Sequence, residues 1–272
     1  MAGCRQRQWR LLRSGKLSGA MNMAIDEALL ESLAEGDAAP TLRLYGWQPA
    51  TLTLGYGQSA IDDVDLEACQ QAGVVVVRRS TGGRSVLHAD ELTYALVART
   101  DSPPFNRTVL DCYRAIAEVL KTALKHLGVD ASLVPGKPGT GHGRGTRALC
   151  FSSPAQYELV AKDRKLIGSA QKRRGQAFLQ HGSIPLTLDL SLLTKILKID
   201  TAATDRLAKV GWLSALAPRP LTLLDLEESL LQAFVETLGV DWQESVLSPG
   251  EQKRAQCLHD EQFSCASWTF KR

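Results

Sequence analysis

Cys150 and Lys165 are the two residues of this sequence that most directly allow nucleophilic chemistry. Cys150 lies where a basic, glycine-rich segment, residues 135–147, meets a strand-like pattern. A thiol of ordinary pKa, about 8.5, is only a few per cent thiolate at pH 7, so a reactive cysteine needs a nearby cation. Lys165, at the start of a predicted strand, is the candidate cation. On spacing alone, a buried structural thiol and a solvated strand-edge lysine are the commoner explanations of such residues.

A glycine motif within the stretch Val74 to Val97 provides a second candidate site. Four valines and the Arg78-Arg79 pair precede Gly82-Gly83, and a second predicted strand begins near Leu92. Glycine permits positive φ and close backbone approach, so the glycine motif, Thr81 to Arg84, can wrap main-chain N–H groups around the oxygen atoms of a ligand. An ordinary arginine-flanked hairpin turn explains the same residues, because short glycine motifs are often coincidental.

His88 and His181 are each a candidate general base or a hydrogen-bonded structural residue. The sequence has neither a G-x-S-x-G elbow nor an H-E-x-x-H motif, which leaves serine hydrolases and zinc proteases without support. Cys257, His259 and Cys265 lack a fourth ligand and tetrahedral spacing. We therefore expect no metal site.

Periodicity predicts the elements that position these residues. Helices are predicted from Met23 to Glu35 and from Val109 to Leu127, each followed by a glycine that ends it. Residues 41–56 predict a hairpin, residues 157–180 predict three successive strands, and residues 135–147 predict a mobile basic loop. From Leu190 onward the pattern is helical and poor in strands.

Composition indicates a globular chain of 272 residues, 44% hydrophobic and 22% charged, with a net charge of +3. It forms one large domain or one domain with a small appendage. No run approaches the roughly 18 apolar residues of a membrane span, and no secretory signal is recognisable, so we expect a cytoplasmic protein. Six cysteines without a CxxC pair favour reduced thiols.

Several ordered motifs resemble the lipoate-protein ligase and octanoyltransferase family, over about Leu12 to Leu188 with a weaker tail at Trp268 to Arg272. They are RRSTGGRSVLH from Arg78, ELTYALV from Glu91, RKLIGSAQ from Arg164 and LQHGSI from Leu179. NMAIDEALL from Asn22, PTLRLYGWQPATLTLGYGQ from Pro40 and the Cys150-Phe151 pair are similar to the single-domain octanoyltransferases of Firmicutes.

The resemblance implies an α+β fold: a mixed, largely antiparallel sheet flanked by helices, like biotin protein ligases and class II synthetases, with a helical C-terminal extension. We expect the catalytic domain at residues 1–217, with its core at about 38–190, and the extension at residues 218–272, packed on the same unit.

The resemblance also implies roles for individual residues. Cys150 becomes the acyl-thioester nucleophile, and Lys165 favours its thiolate. The implied substrate-binding residues are Arg79, Gly82, Gly83, His88, Gly168, Ala170, His181 and Gly182. Backbone N–H groups near Gly82, Gly83 or Gly168 are candidates for an oxyanion site, and an apolar wall near Leu87, Leu166 and Ile167 is expected to hold the acyl chain. The chain departs from the family at Ala89, where the family usually has aspartate.

The implied reaction is octanoyl transfer from octanoyl acyl carrier protein to a lysine of an apo lipoyl domain, expected to be the glycine-cleavage H protein. No cofactor is expected, because Cys150-Phe151 replaces the Asn-Asp pair of ATP-dependent ligases. A basic set, Arg144, Arg147, Lys172, Arg173 and Arg174, could steer the acidic carrier or form a solvated face.

Three alternatives stay open. They are an amidotransferase acting from the H protein to dehydrogenase E2 domains, an ATP-dependent ligase, and a nucleic-acid-binding module; the last is disfavoured because no aromatics interleave the basic loop. We expect a monomer that binds neither nucleic acid nor membrane.

Overall fold

The structure, a computed structural model, describes residues 7–36, 38–101, 103–105, 108–134, 158–198 and 207–271. Its strands are β1 (Arg7–Leu17), β2 (Thr41–Trp47), β3 (Thr51–Leu54), β4 (Val75–Arg78), β5 (Val86–His88), β6 (Glu91–Arg99), β7 (Ser132–Val134), β8 (Glu158–Ala161), β9 (Arg164–Lys165), β10 (Gly168–Arg174), β11 (Ala177–Pro185) and β12 (Val240–Glu244). Its α-helices are α1 (Gly19–Glu35), α2 (Ala60–Asp63), α3 (Leu66–Gln71), α4 (Val109–His126), α5 (Leu190–Ile196), α6 (Leu223–Leu238), α7 (Pro249–Leu258) and α8 (Ala266–Thr269).

A six-stranded sheet in the order β10-β11-β6-β2-β1-β12 organises the described chain. The pairs from β10 to β2 are antiparallel, whereas β2–β1 and β1–β12 are parallel. Two three-stranded sheets, β4-β3-β5 and β7-β8-β9, accompany it. The predicted mixed, largely antiparallel sheet with flanking helices is confirmed.

Helices cover both faces of the large sheet because alternate side chains of a strand point to opposite faces. Leu11, Leu44 and Leu96 face a core shared with α4 and α6, whereas Leu12 and Val97 face a core shared with α1 and α7. The helices begin and end at local sequence signals. Ser18 caps α1, Gly36 ends it in the left-handed conformation, and capping boxes begin α6 and α7.

The hairpin predicted for residues 41–56 is wrong. β2 lies in the six-stranded sheet, whereas β3 pairs with β4 and β5, so the chain changes sheets between Trp47 and Thr51. A hairpin turn at the glycine motif is also wrong, because β4 and β5, the strands before and after the motif, lie on either side of β3 in the small sheet. The motif therefore connects two strands of one sheet, and the chain changes sheets between His88 and Glu91.

The segment after residue 218 contains more than helices. Between α6 and α7, strand β12 pairs in parallel with β1 at the edge of the six-stranded sheet. The alternation of Val240 and Trp242 with polar residues is a strand pattern that the helical expectation overlooked. No helix of the described ranges combines the length and apolarity that crossing a bilayer requires.

Candidate active site

A pocket with an empty volume of about 350 Å³ lies between α1, the six-stranded sheet and the small sheet β4-β3-β5. Its lining residues are Met23, Tyr45, Trp47, Thr53, Arg79, Val86, His88, Thr93, Gly168, Ser169, Ala170, His181, Gly182 and Ser183. Six of the predicted binding residues line it: Arg79, His88, Gly168, Ala170, His181 and Gly182. Gly82, Gly83 and Lys165 are not lining residues, and Cys150 lies outside the described residues.

Small residues on β10 and β11 leave this space open. Ser169 faces Gly182 across the two strands, and Ala170 faces His181. A Cβ on Gly182 would lie 2.5 Å from the ring carbon Cε1 of Tyr94 and 2.8 Å from Oγ of Ser169. Tyr94 is buried and its hydroxyl lies 2.8 Å from the same Ser169 oxygen, so the ring has no room to withdraw. Glycine is therefore required at position 182.

A buried carboxylate on α1, Asp26, holds one histidine of the pocket. Its Oδ2 lies 2.9 Å from Nδ1 of His181 and accepts from the Tyr45 hydroxyl at 2.9 Å, while Oδ1 accepts from Arg43 at 2.7 Å. Burial alone would raise the pKa of Asp26, but the hydrogen bond from His181 and the charge of Arg43 outweigh it and lower the pKa. Because an ionised carboxylate only accepts, Nδ1 of His181 donates. Nε2 of His181 lies 2.7 Å from the Thr81 hydroxyl.

A second buried carboxylate, Glu91 at the start of β6, holds His88. Its Oε1 lies 2.8 Å from Nδ1 of His88, and its Oε2 accepts from the Ser183 hydroxyl at 2.6 Å. Burial alone would raise the pKa of Glu91, but His88 and the hydroxyl donors lower it. Nε2 of His88 lies 2.9 Å from the Thr53 hydroxyl. The imidazole also stacks on the Trp47 ring with centroids 4.0 Å apart.

Arg79 ties the glycine motif to this arrangement. Its guanidinium donates to the carbonyl oxygens of Gly82 and Arg84, each at 2.8 Å, and to the Thr53 hydroxyl at 3.1 Å. Gly83 has a φ of +95°, which favours glycine, whereas Gly82 has an ordinary φ. Arg79 thus fixes carbonyl groups of the glycine motif, and the backbone N–H groups of the motif are left to other acceptors.

Lys165 is buried at the end of β9 and forms an ion pair with Glu158 on β8, a partner that the sequence analysis did not name. A solvated strand-edge position for Lys165 is therefore wrong. The residues expected to form an apolar wall, Leu87, Leu166 and Ile167, do not line this pocket. Leu166 and Ile167 pack in the core shared with α4, and Leu87 packs in the core of the small sheet. Met23, Tyr45, Trp47 and Val86 supply the apolar lining instead.

The predicted basic set is partly neutralised. Lys172 pairs with Glu27 at 2.5 Å, and Arg174 pairs with Glu31 at 2.5 Å, so α1 supplies counter-charges to the outer end of β10. Arg144, Arg147 and the glycine-rich loop, residues 135–147, lie outside the described residues. In the described ranges, no cluster of three or more His, Cys, Asp or Glu could hold a metal ion.

Sequence reasoning missed the two carboxylates and the two threonines that hold the histidines. Asp26 had one visible signal, because it and Glu27 are acids that interrupt a run of apolar residues in α1. Glu91 had another, because it follows His88 at a spacing of three residues. Nothing local connects Asp26 to His181, which is 155 residues away.

Comparison with known proteins supports a single family. The lipoyl protein ligase A/B catalytic domain pattern matches residues 18–235. The octanoyltransferase LipM of Carboxydothermus hydrogenoformans is 39% identical over 269 residues, covering 97% of this chain and 98% of that protein. The octanoyltransferase LipM of Kyrpidia tusciae is 40% identical over 272 residues, covering 97% and 99%.

Solved structures of ligases have the same fold. A lipoate-protein ligase A bound with ATP superposes with a TM-score of 0.80 at 26% identity, covering 97% of this chain and 98% of that one. Protein Ta0514 from T. acidophilum with bound lipoic acid gives 0.78 at 25% identity, covering 97% and 99%. The chain therefore belongs to the lipoyl protein ligase A/B catalytic domain family, and the two full-length relatives named above are octanoyltransferases.

Proposed function

We propose that this chain is an acyltransferase of lipoate biosynthesis that moves an octanoyl group from octanoyl acyl carrier protein to a lysine of an apo lipoyl domain, through a thioester on Cys150. Two observations together carry the proposal. The chain is 39% identical to an octanoyltransferase over nearly the full length of both proteins, and it has a small pocket between α1, the small sheet β4-β3-β5 and β10–β11. The expected acceptor is the glycine-cleavage H protein. The proposal includes a cytoplasmic monomer.

In the first step, the Cys150 thiolate attacks the thioester carbonyl of the donor. The carbon–sulfur bond to the carrier then breaks, and the carrier leaves as a thiol after taking a proton. In the second step, the acceptor lysine, as a neutral amine, attacks the enzyme thioester, an amide forms, and the Cys150 thiol is released. Dividing the transfer in this way replaces one difficult step with two easier ones, as covalent catalysis does in general.

The described residues have supporting roles in this scheme. Gly168, Ala170 and Gly182 make room over the sheet for the acyl chain, and Met23 and Trp47 give it an apolar lining. N–H groups of the glycine motif are candidate donors to the tetrahedral oxyanion.

Lys165 has a defined place in the proposal. Its ammonium is buried against Glu158, so its position is fixed by the β8–β9 pair instead of by solvent. A cation fixed near a thiol favours the thiolate. Lys165 is proposed to act in this way on Cys150.

Intact-mass measurement after incubation with octanoyl acyl carrier protein tests the nucleophile. The wild type and a Cys257→Ala control should each gain one octanoyl adduct that hydroxylamine removes. Cys150→Ala should gain none and should lose transfer. A labile adduct that persists in Cys150→Ala would refute the thioester on this residue.

Donor competition separates the alternatives. Transfer from octanoyl acyl carrier protein without ATP supports the proposal. Transfer only from the octanoyl H protein would identify an amidotransferase, and transfer only from octanoate with ATP would identify a ligase.

A further inference from the structure

A fully buried arginine outside the pocket, Arg78, joins the C-terminal segment, residues 265–271, to the region of the glycine motif. Its guanidinium Nε donates to the carbonyl oxygens of Thr269 at 3.0 Å and Trp268 at 3.2 Å. The indole Nε1 of Trp268 donates back to the carbonyl oxygen of Arg78 at 2.9 Å. Two segments 190 residues apart are thus connected in both directions.

The same guanidinium also holds the segment that touches the glycine motif. Its Nη1 donates to the carbonyl oxygens of Gly55 at 2.8 Å, Tyr56 at 3.2 Å and Gln58 at 2.6 Å. The Tyr56 amide in turn donates to the Thr81 carbonyl at 2.8 Å. A Cβ on Gly55 would lie 1.9 Å from the carbonyl oxygen of Gly83, so the two segments are in direct backbone contact.

Aromatic packing reinforces the connection. The Trp268 ring lies 5.9 Å from the Tyr56 ring and 5.7 Å from the Phe263 ring. The Lys271 ammonium lies 3.6 Å from the Trp268 ring centroid and 3.7 Å from that of Tyr56, which is the geometry of a cation–π contact. Trp268 therefore contacts both Arg78 and the segment that Arg78 holds.

We infer that Trp268 is a positioning residue for the pocket: through Arg78 and residues 55–58 it fixes the glycine motif, including Thr81, which holds His181. Arg78 precedes Arg79, whose guanidinium donates to the carbonyl oxygens of Gly82 and Arg84 in the same motif. Arg79, a pocket residue, thus holds the motif directly, and the C-terminal segment holds it through Arg78. The kinetic consequence rests on the proposed function, whereas the positioning itself does not.

Trp268→Phe tests the inference, because it keeps an aromatic ring and removes the indole N–H. Trp242→Phe is the matched control. It also removes an indole N–H bonded to a carbonyl oxygen, that of Leu231 at 3.3 Å, but in the β12–α6 region away from the pocket. The full-length proteins are compared by thermal unfolding, by hydrogen exchange of residues 55–58 and 79–85, and by steady-state kinetics with octanoyl acyl carrier protein.

Both variants should lose a similar, small amount of thermal stability, about 2–4 °C. Trp268→Phe alone should accelerate amide exchange in residues 55–58 and 79–85, by about tenfold. It alone should also lower kcat/KM, by about tenfold. Equal exchange in these segments for the two variants would overturn the inference, whatever the kinetics. A wild type without octanoyl transfer would refute the proposed function, and the exchange comparison would still decide whether Trp268 positions the motif.

Discussion

The two histidine–carboxylate pairs of the pocket look alike but are built differently. In both, a buried carboxylate holds Nδ1 of a histidine and a threonine hydroxyl faces Nε2. Asp26 also neutralises Arg43, which is completely buried, whereas Glu91 also accepts from the hydroxyls of Thr93 and Ser183 and from the indole of Trp47. The Asp26–His181 pair should therefore support the fold as well as the pocket, and the Glu91–His88 pair mainly the pocket.

The two pairs also differ in how many distant segments of the chain they connect. His88 and Glu91 are three residues apart, on the adjoining strands β5 and β6. Asp26 lies on α1, His181 on β11, and Thr81 in the glycine motif, so one carboxylate links a helix, the central sheet and a loop. A buried carboxylate that connects distant segments makes their positions interdependent.

The largest effect is expected from a substitution that breaks the Asp26–Arg43 ion pair. Asp26→Asn leaves the Arg43 guanidinium buried without this anion, and removal of one partner of a buried ion pair costs about 3–5 kcal/mol. Urea unfolding should show a loss of this size, and Asp241→Asn, at an exposed position, should be within about 0.5 kcal/mol of the wild type. A loss below about 1 kcal/mol would contradict the role assigned to Asp26.

A smaller effect is expected at Glu91. Glu91→Gln keeps the size of the side chain but removes its charge and replaces one of its two acceptor oxygens by an NH2 donor, so the free energy of unfolding should fall by about 1–3 kcal/mol, the cost of unsatisfied buried polar groups. Transfer activity should also fall, because His88 loses the charged acceptor that orients it. The control is Glu35→Gln at an exposed position at the end of α1. If Glu91→Gln costs as much stability as Asp26→Asn, the contrast between the pairs is wrong.

The smallest effect is a change in acid sensitivity. The pKa values of Asp26 and Glu91 lie below their ordinary values of 3.8 and 4.5, so the unfolded chain binds more protons than the folded one. Both carboxylates stabilise the fold above those ordinary values, and this stabilisation is lost as pH falls through the lower folded values. In Asp26→Asn and in Glu91→Gln, stability should therefore decline less steeply below about pH 4.5 than in the wild type.

Some acid sensitivity should remain in both variants. Glu31 and Glu251 also have lowered pKa values: burial alone would raise them, but hydrogen bonds from Arg254 and Arg10 outweigh that effect. Urea unfolding at a series of pH values from about 3 to about 6 would measure the remaining slope. An unchanged slope in Asp26→Asn would mean that the pKa of Asp26 is not lowered by folding.

Local patterns predicted many elements of the fold correctly, and the comparisons confirm the predicted family and acyltransferase class. α1, α4 and the caps of α6 and α7 follow from apolar spacing and from Ser, Thr and Gly at their ends, because these signals act within a few residues. β1 was missed because its apolar residues contact helices on both faces and are interrupted by arginines, so no alternation is visible.

The sequence alone determined the local features and the family: the helix caps, the glycine motif and the small residues of β10 and β11 could all be read from it. The tertiary structure alone decided the partners, namely which carboxylate holds which histidine, which sheet each strand joins, and that the chain's C-terminal segment binds Arg78. The reason is physical. Caps and turns depend on neighbours within one or two turns of backbone, whereas a buried charge is satisfied by whatever group the completed packing brings beside it.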